Sequence, residues 1–322
     1  MAIQTHKKIS FVVPIFNEAQ NIVDFNKSLI EVISPNYSNF EIIYVDDGST
    51  DTTNKIVTDL ASKNRDIKLI SLSRNFGKEN ALTAGINYAT GDAVMMLDGD
   101  GQHPVELIPE FVRLWLAGNK VVVGVRTTNS KEGTVKKLGS YLFYKSFNNM
   151  SGKKLVPGTT DFRIIDKVVQ EAFLELNDVD RVTRGLIDWL GFKTSYIKFR
   201  AKARVHGEAG YSFNKLVKLA MNSYVGFSTT PLYFFGYLGI IISSLSFILG
   251  LAVFIEQLLL GDPLNWKFTG TAMLGILIIF LVGILLMAQG ILSIYISMIN
   301  NQSRGRALYI VDHENSIGLD KK

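Results

Sequence analysis

AVMMLDGDGQHP, residues 93–104, runs from unbroken apolar residues straight into a turn that carries two carboxylates, two glycines and a proline. A strand with no polar position on either side suits a parallel sheet covered on both faces. Carboxylates at its carboxyl end stand where open α/β sheets bind their ligands. The same pattern recurs outward from this stretch. Ile9–Phe16, Phe40–Val45, Ile67–Leu72 and Lys120–Val125 read as further strands, and 18–33, 50–63, 80–89 and 105–117 have the apolar spacing of covering helices. This alternation predicts a doubly wound, Rossmann-like α/β domain with a mostly parallel sheet. Each strand ends in polar residues: Pro14 to Glu18, Asp46 to Asp51, Ser73 to Lys78, Asp98 to Gln102, and Arg126. No GxGxxG follows the first strand, which excludes a dinucleotide-dependent oxidoreductase.

Hydrophobic residues make up 47% of the 322, and they are unevenly placed. Residues 232–255 and 268–299 contain no charge. Each run exceeds the roughly 20 residues that cross a ~30 Å hydrocarbon core as helix, so two membrane spans are expected. Only residues 256–267 separate them, which makes a hairpin with both chain ends on one side. Arg304, Arg306, Lys321 and Lys322 follow the second run, against Lys267 in the connection, so that side is expected to be cytoplasmic. Nothing near Met1 reads as a cleaved leader. With no cysteine, disulfides and thiolate metal sites are excluded, in keeping with a reducing compartment.

The net charge of +5 is concentrated. Seven Lys/Arg against one acid lie between Arg126 and Lys154, and seven against Glu208 between Lys193 and Lys218. Such clusters favour anionic lipid head groups, and two spans exclude nucleic acid as the partner. Val135–Asn148 and Phe213–Tyr224 read as amphipathic helices in the membrane interface. The expected organisation is a catalytic domain over 1–205, a juxtamembrane helix over 206–231, two spans within 232–299 and a cytoplasmic tail over 300–322.

Asp98 and Asp100 after a buried strand, with Gln102, supply oxygen ligands of the kind that hold Mg2+ or Mn2+ beside a phosphate. Asp46 and Asp47 precede Gly48 and a run of capping residues, and one of them is placed to accept hydrogen bonds from a base or ribose. Lys78, Arg74 and Arg126 add positive charge suited to a pyrophosphate on the same edge. His103 is a candidate general base.

PIFNE at 14–18, DDGSTD at 46–51, RNFGKENA at 74–81, DGDGQHP at 98–104, GTTDFR at 158–163 and the hairpin together resemble the family 2 glycosyltransferases with the GT-A fold. Within them the sequence is most similar to the polyprenyl-phosphate enzymes, the dolichyl-phosphate mannose synthases and bactoprenol glucosyltransferases. The resemblance covers almost the whole chain. It implies that Pro14, Phe16, Glu18, Asp46 and Asp47 hold the nucleoside and that Asp98 lies near the sugar. It further implies that Asp100 and Gln102 with Asp98 bind the metal, and that Lys78 and Arg126 face the phosphates. Asp98, Asp161 and Arg126 are the implied catalytic set. Lys136, Ser140, Arg163, Arg200 and Arg204 are the implied lipid-phosphate contacts. Two departures stand out: Lys136 where relatives often have arginine, and Arg204–Tyr211 without their Ser-Lys pair.

The expected reaction is inverting transfer of a hexose, glucose from UDP-glucose by preference, to a polyprenyl phosphate, with GDP-mannose as the alternative donor. A sugar-hydroxyl acceptor is the competing enzymatic reading, in which Asp161 would act as base; the Gln-x-x-Arg-Trp element of processive synthases is absent. A silent membrane scaffold would have no use for Asp98, Asp100 and Gln102. The short hairpin suggests a homo-oligomer, with a tetramer as one possibility.

Overall fold

The computed structural model describes residues 5–127, 156, 158–179, 181–200, 241, 248, 255 and 270–319. The chain divides into two compact units, one of residues 1–139, 156–209 and 306–322 and the other of 140–155 and 210–305.

The first unit is built on one eight-stranded sheet: β1 (Ile9–Ile15), β2 (Phe40–Asp46), β3 (Ile67–Leu72), β4 (Ala93–Met96), β5 (Val121–Arg126), β6 (Thr159–Asp166), β7 (Thr194–Phe199) and β8 (Val311–Ile317). Their order is β7-β5-β6-β4-β1-β2-β3-β8. β1 to β4 pair in parallel, and β7 runs parallel to β5. β6 is antiparallel to both its neighbours, and β8 to β3. Every residue of β1 and β4 is buried, as continuous apolar runs between two helix layers should be.

The covering helices are α1 (Ile22–Ile33), α2 (Thr53–Lys63), α3 (Lys78–Tyr88), α4 (Ile108–Leu116), α5 (Lys167–Leu174) and α6 (Thr183–Trp189). The first two begin three or four residues later than the sequence suggests, because the polar residues after β1 and β2 bond one another instead. Asn17 N–H donates to Ser49 Oγ at 2.9 Å, Glu18 N–H to Thr53 Oγ1 at 2.9 Å, and Thr50 N–H to Asn17 Oδ1 at 2.8 Å. Asn17 adopts φ 56° to make this brace. α3 lies close on the sheet: a Cβ on Gly85 would stand 2.2 Å from Val12 Cγ1.

The segment read as a cytoplasmic tail contains β8. Its sequence, VDHENSI, lacks apolar alternation because it forms the sheet's outer strand and keeps three central side chains in solvent.

In the second unit, α7 (Gly270–Ser303) is a continuous helix of 34 residues. Its described side chains come in short groups, and among the described residues no helix is long and apolar enough to cross a membrane. Apart from residues 241, 248 and 255, the expected first span lies outside the described residues, as do both amphipathic helices, Lys136, Ser140 and Arg204.

Candidate active site

Because β1 to β5 and β7 point the same way, their carboxyl ends share one edge, and antiparallel β6 brings its first residues to that edge. From one flank to the other it presents Arg200 and Arg126, then Asp161, Asp98, Phe16 to Glu18, Asp46 with Asp47, and Arg74. The register fixes these neighbours: Arg126 pairs with Phe199, Val125 with Thr159, and Ile15 with Asp46.

At the centre, Lys78 Nζ lies 2.6 Å from Asp98 Oδ1 and 2.8 Å from Asp161 Oδ2. Lys78 is the first residue of α3, Asp98 follows β4, and Asp161 lies on β6, so three elements converge here. Burial works against the Lys78 charge, but Asp98 and Asp161 outweigh it and hold the ammonium protonated beyond its ordinary range. Burial likewise pushes the Asp161 acid upward. The charges of Lys78, Arg184 and Arg163 overcome that and hold Asp161 well below the usual carboxylate range.

Behind this pair lies a layer that the sequence did not reveal. Glu79 accepts the Thr183 N–H at 2.8 Å, fastening α3 to the start of α6. Burial, reinforced by repulsion from Asp161, raises the Glu79 acid. Arg163 is fully buried and donates to the Thr160 carbonyl, the Arg184 carbonyl and Asp188 Oδ1. The expected lipid-phosphate contact at Arg163 is therefore corrected: its guanidinium faces inward and is committed to the fold. Strand alternation carried a signal for this, since Arg163 follows Asp161 by two residues and shares its face, one step deeper.

His103 also serves the fold. It is 7% exposed, its ring stacks on Phe162 at 4.9 Å, and Nδ1 accepts the Asp98 N–H at 3.0 Å. Burial lowers its basicity, and a neutral ring accepting at Nδ1 carries its proton on Nε2, 3.7 Å from Asp98 Oδ2. Both contacts fix the Asp98–Gln102 turn rather than offer a base to a substrate.

On the donor flank, Asp46 is 2% exposed. Its Oδ1 accepts from Ser49 N–H at 3.0 Å and Ser49 Oγ at 2.5 Å, and its Oδ2 from Asn54 Nδ2 at 2.9 Å. Asp47 accepts the Phe76 and Gly77 amides at 2.7 and 2.9 Å, which ties the turn after β2 to the loop after β3. Burial raises the Asp47 acid, and those two amides offset part of the rise. Gly48, at φ 71°, lies against the Arg74–Asn75 backbone. Phe16, just after β1, is 43% exposed, and Pro14 within β1 is buried. Glu18 accepts from Asn21 Nδ2 at 2.7 Å.

Asp98, Asp100 and Gln102 fit a divalent ion of one kind. Among the described residues no three His, Asp or Glu side chains are grouped as a metal cage. Two carboxylates and a carboxamide on one tight turn, with open space over Gly101, form an incomplete oxygen set. Mg2+ and Mn2+ complete such sets with substrate phosphate oxygens.

The fold and this edge together define a glycosyltransferase of the GT-A kind. The chain belongs to glycosyl transferase family 2, whose model matches residues 10–173. It is 36% identical to the bactoprenol glucosyl transferase of Shigella phage SfV over 95% of this chain and 99% of that one. An uncharacterized glycosyltransferase of Synechocystis is 37% identical over 94% of each chain. Among solved structures, S. aureus TarS in complex with UDP-GlcNAc is 19% identical, covering 68% of this chain and 65% of that one at a TM-score of 0.47.

Proposed function

We propose that the protein transfers a hexose, first of all glucose from UDP-glucose, to a polyprenyl phosphate of the undecaprenyl type at the cytoplasmic face of a membrane. The observation that carries this reading is the state of Asp161. A sugar-hydroxyl acceptor needs a base, whereas a phosphate arrives ionised near neutral pH. Asp161, paired with Lys78 at 2.8 Å and held well below the ordinary carboxylate range, is a weak base. The site suits an acceptor that brings its own nucleophilic oxygen. The names of the bactoprenol glucosyl transferases, about a third identical to this chain from end to end, support the same acceptor and sugar.

In this reading one phosphate oxygen attacks the anomeric carbon while the bond from that carbon to the nucleoside diphosphate breaks on the opposite face, inverting the centre. Pro14, Phe16, Glu18, Asp46 and Asp47 hold the nucleoside, Asp98 orients the sugar, and Lys78 and Arg126 offset charge on the departing diphosphate. A Mg2+ or Mn2+ ion held by Asp98, Asp100 and Gln102 would add further positive charge at that diphosphate. Arg200, at the opposite flank, joins Lys136, Ser140 and Arg204 as the acceptor-phosphate contacts.

The membrane hairpin belongs to the same reading. At 1.5 Å per residue, the 34 residues of α7 reach about 50 Å, more than a ~30 Å hydrocarbon core. Leu274, Ile278, Val282, Leu285, Leu292, Ile296 and Ile299 on this helix are 46–66% exposed, which suits lipid or a second copy of the chain. Residues before and after the apolar region build one sheet, so that region leaves and returns on one side and crosses an even number of times. A homo-oligomer, with a tetramer as first candidate, would pack through these spans.

The test is transfer by purified protein in detergent, with undecaprenyl phosphate, Mg2+ or Mn2+, and a panel of labelled nucleotide sugars that includes GDP-mannose. Metal-dependent labelling of the lipid by UDP-glucose, abolished by Asp100→Ala, is expected. Donor binding without lipid labelling, together with transfer to a sugar hydroxyl, would overturn the reading.

A further inference from the structure

The donor flank is joined to the far end of the chain by a single run of hydrogen bonds. Asn54 Nδ2 has two hydrogens and donates one to Asp46 Oδ2 at 2.9 Å and the other to Ser71 Oγ at 2.8 Å. Ser71 Oγ, with one hydrogen, donates it to the Asn315 carbonyl of β8 at 2.7 Å. The Ser71 N–H in turn donates to Ser316 Oγ at 3.0 Å. Donors and acceptors therefore balance at every step, from the Asp46 carboxylate through an amide and a hydroxyl to the main chain of the last strand. Ser71 is also the register partner of Asp46 across β2 and β3, and Ser73 N–H bonds the Ile310 carbonyl at 2.9 Å.

Asp46 Oδ2 has no other described donor, since Ser49 serves Oδ1. Asn54 at Oδ2 therefore sets, together with Ser49 at Oδ1, the rotation of the carboxylate about its Cβ–Cγ bond, and Ser71 holds Asn54. If β8 were lost, the Ser71 hydroxyl would lose its acceptor. We propose that Asn54, Ser71 and the β8 main chain form a positioning relay for donor binding. In it the strand that follows the apolar segments sets the orientation of Asp46. The proposal rests on the reading of Asp46 as a donor contact.

The relay is tested on the full chain in nanodiscs by steady-state kinetics and by UDP binding, with melting temperatures measured alongside. Ser71→Ala and Asn54→Ala are each expected to raise the donor KM and the UDP Kd about fivefold, the value of one hydrogen bond. The kcat and the acceptor KM should stay within about twofold. Because the two residues act in series, the double variant should be no worse than either single one, and Ser71→Thr, which keeps the hydroxyl, should recover most of the affinity. A donor KM unchanged in Ser71→Ala, with or without a lower melting temperature, overturns the relay. So does an effect that Ser71→Thr fails to rescue. Asp46→Ala run in parallel separates the two ideas. If it weakens donor binding while Ser71→Ala does not, only the relay fails, and if it leaves donor binding intact, the assignment of Asp46 fails and the relay with it.

Discussion

Lys78 illustrates how much a single side chain can decide. It stands between two carboxylates, one after β4 and one on β6, at 2.6 and 2.8 Å, and holds Asp161 below the ordinary carboxylate range beside the place where a diphosphate would leave. Lys78→Met removes that charge while keeping the length of the chain, and the expected loss in kcat is on the order of 100-fold, as for other groups that stabilise developing charge. Single-turnover transfer would measure it, and a variant within fivefold of the parent would remove Lys78 from the mechanism. Gly48 poses a different constraint. At φ 71° and with the Arg74 carbonyl carbon 2.6 Å from where a Cβ would sit, Gly48→Ala should push apart the turns that Asp47 joins. The donor KM is expected to rise at least about tenfold with a loss of 1–3 kcal/mol in stability, read from nucleotide titration and chemical melting. The sequence placed Lys78 and Asp98 on one edge, and the resemblance added Asp161 near the reacting centre. The sequence could not say that Lys78 touches both carboxylates, because separations of 20 and 83 residues are closed only by the sheet.

Among elements, β2 is anchored at both ends. At the end remote from the site, Glu41 is 2% exposed and meets Lys8 and Lys68 at 2.9 Å each, with Ser10 Oγ and the Thr90 amide and hydroxyl as further donors. These contacts join β1, β2, β3 and the turn before β4. Burial works against the Glu41 charge, but the donors prevail and bring its pKa from 4.5 to about 2. A folded value below the unfolded one stabilises the protein above the unfolded pKa, and that contribution is lost as pH falls through about 4.5 toward 2. The shift corresponds to roughly 3 kcal/mol. Melting temperature against pH should thus fall on the acid side in the parent, whereas Glu41→Gln should melt lower at neutral pH and show a shallower acid slope. Parallel acid limbs would show that Glu41 does not carry this dependence. The apolar strands were legible because burial on both faces leaves an unbroken apolar run. α5, α6, β6, β7 and β8 were not, because short, half-exposed or charge-bearing elements leave only mixed patterns. The starts of α1 and α2 shifted because capping residues formed bonds between loops, a choice that depends on which loop lies opposite.

At the scale of the whole molecule, the C-terminal strand constrains topology. Strands β1 to β7 and β8 share one sheet, so both ends of the intervening apolar region must be on the same side of any membrane it enters. Tags placed at Met1 and after Lys322 should therefore be digested together in vesicles of one orientation and be protected together in vesicles of the other. Protection of one tag alone would mean an odd number of crossings and would contradict the hairpin.

By itself the sequence determined the class of fold, the edge where chemistry gathers, the family and the two apolar runs. Each of these depends on local periodicity or on residues a few positions apart. Only the tertiary structure decided that Arg163 faces inward, that His103 pins a turn rather than taking a proton, that Lys78 bridges two carboxylates and that the tail completes the sheet beside β3. Those outcomes depend on which strands become neighbours and which way each runs. Side chains tens or hundreds of residues apart acquire their partners, their burial and their charge only when the sheet is assembled.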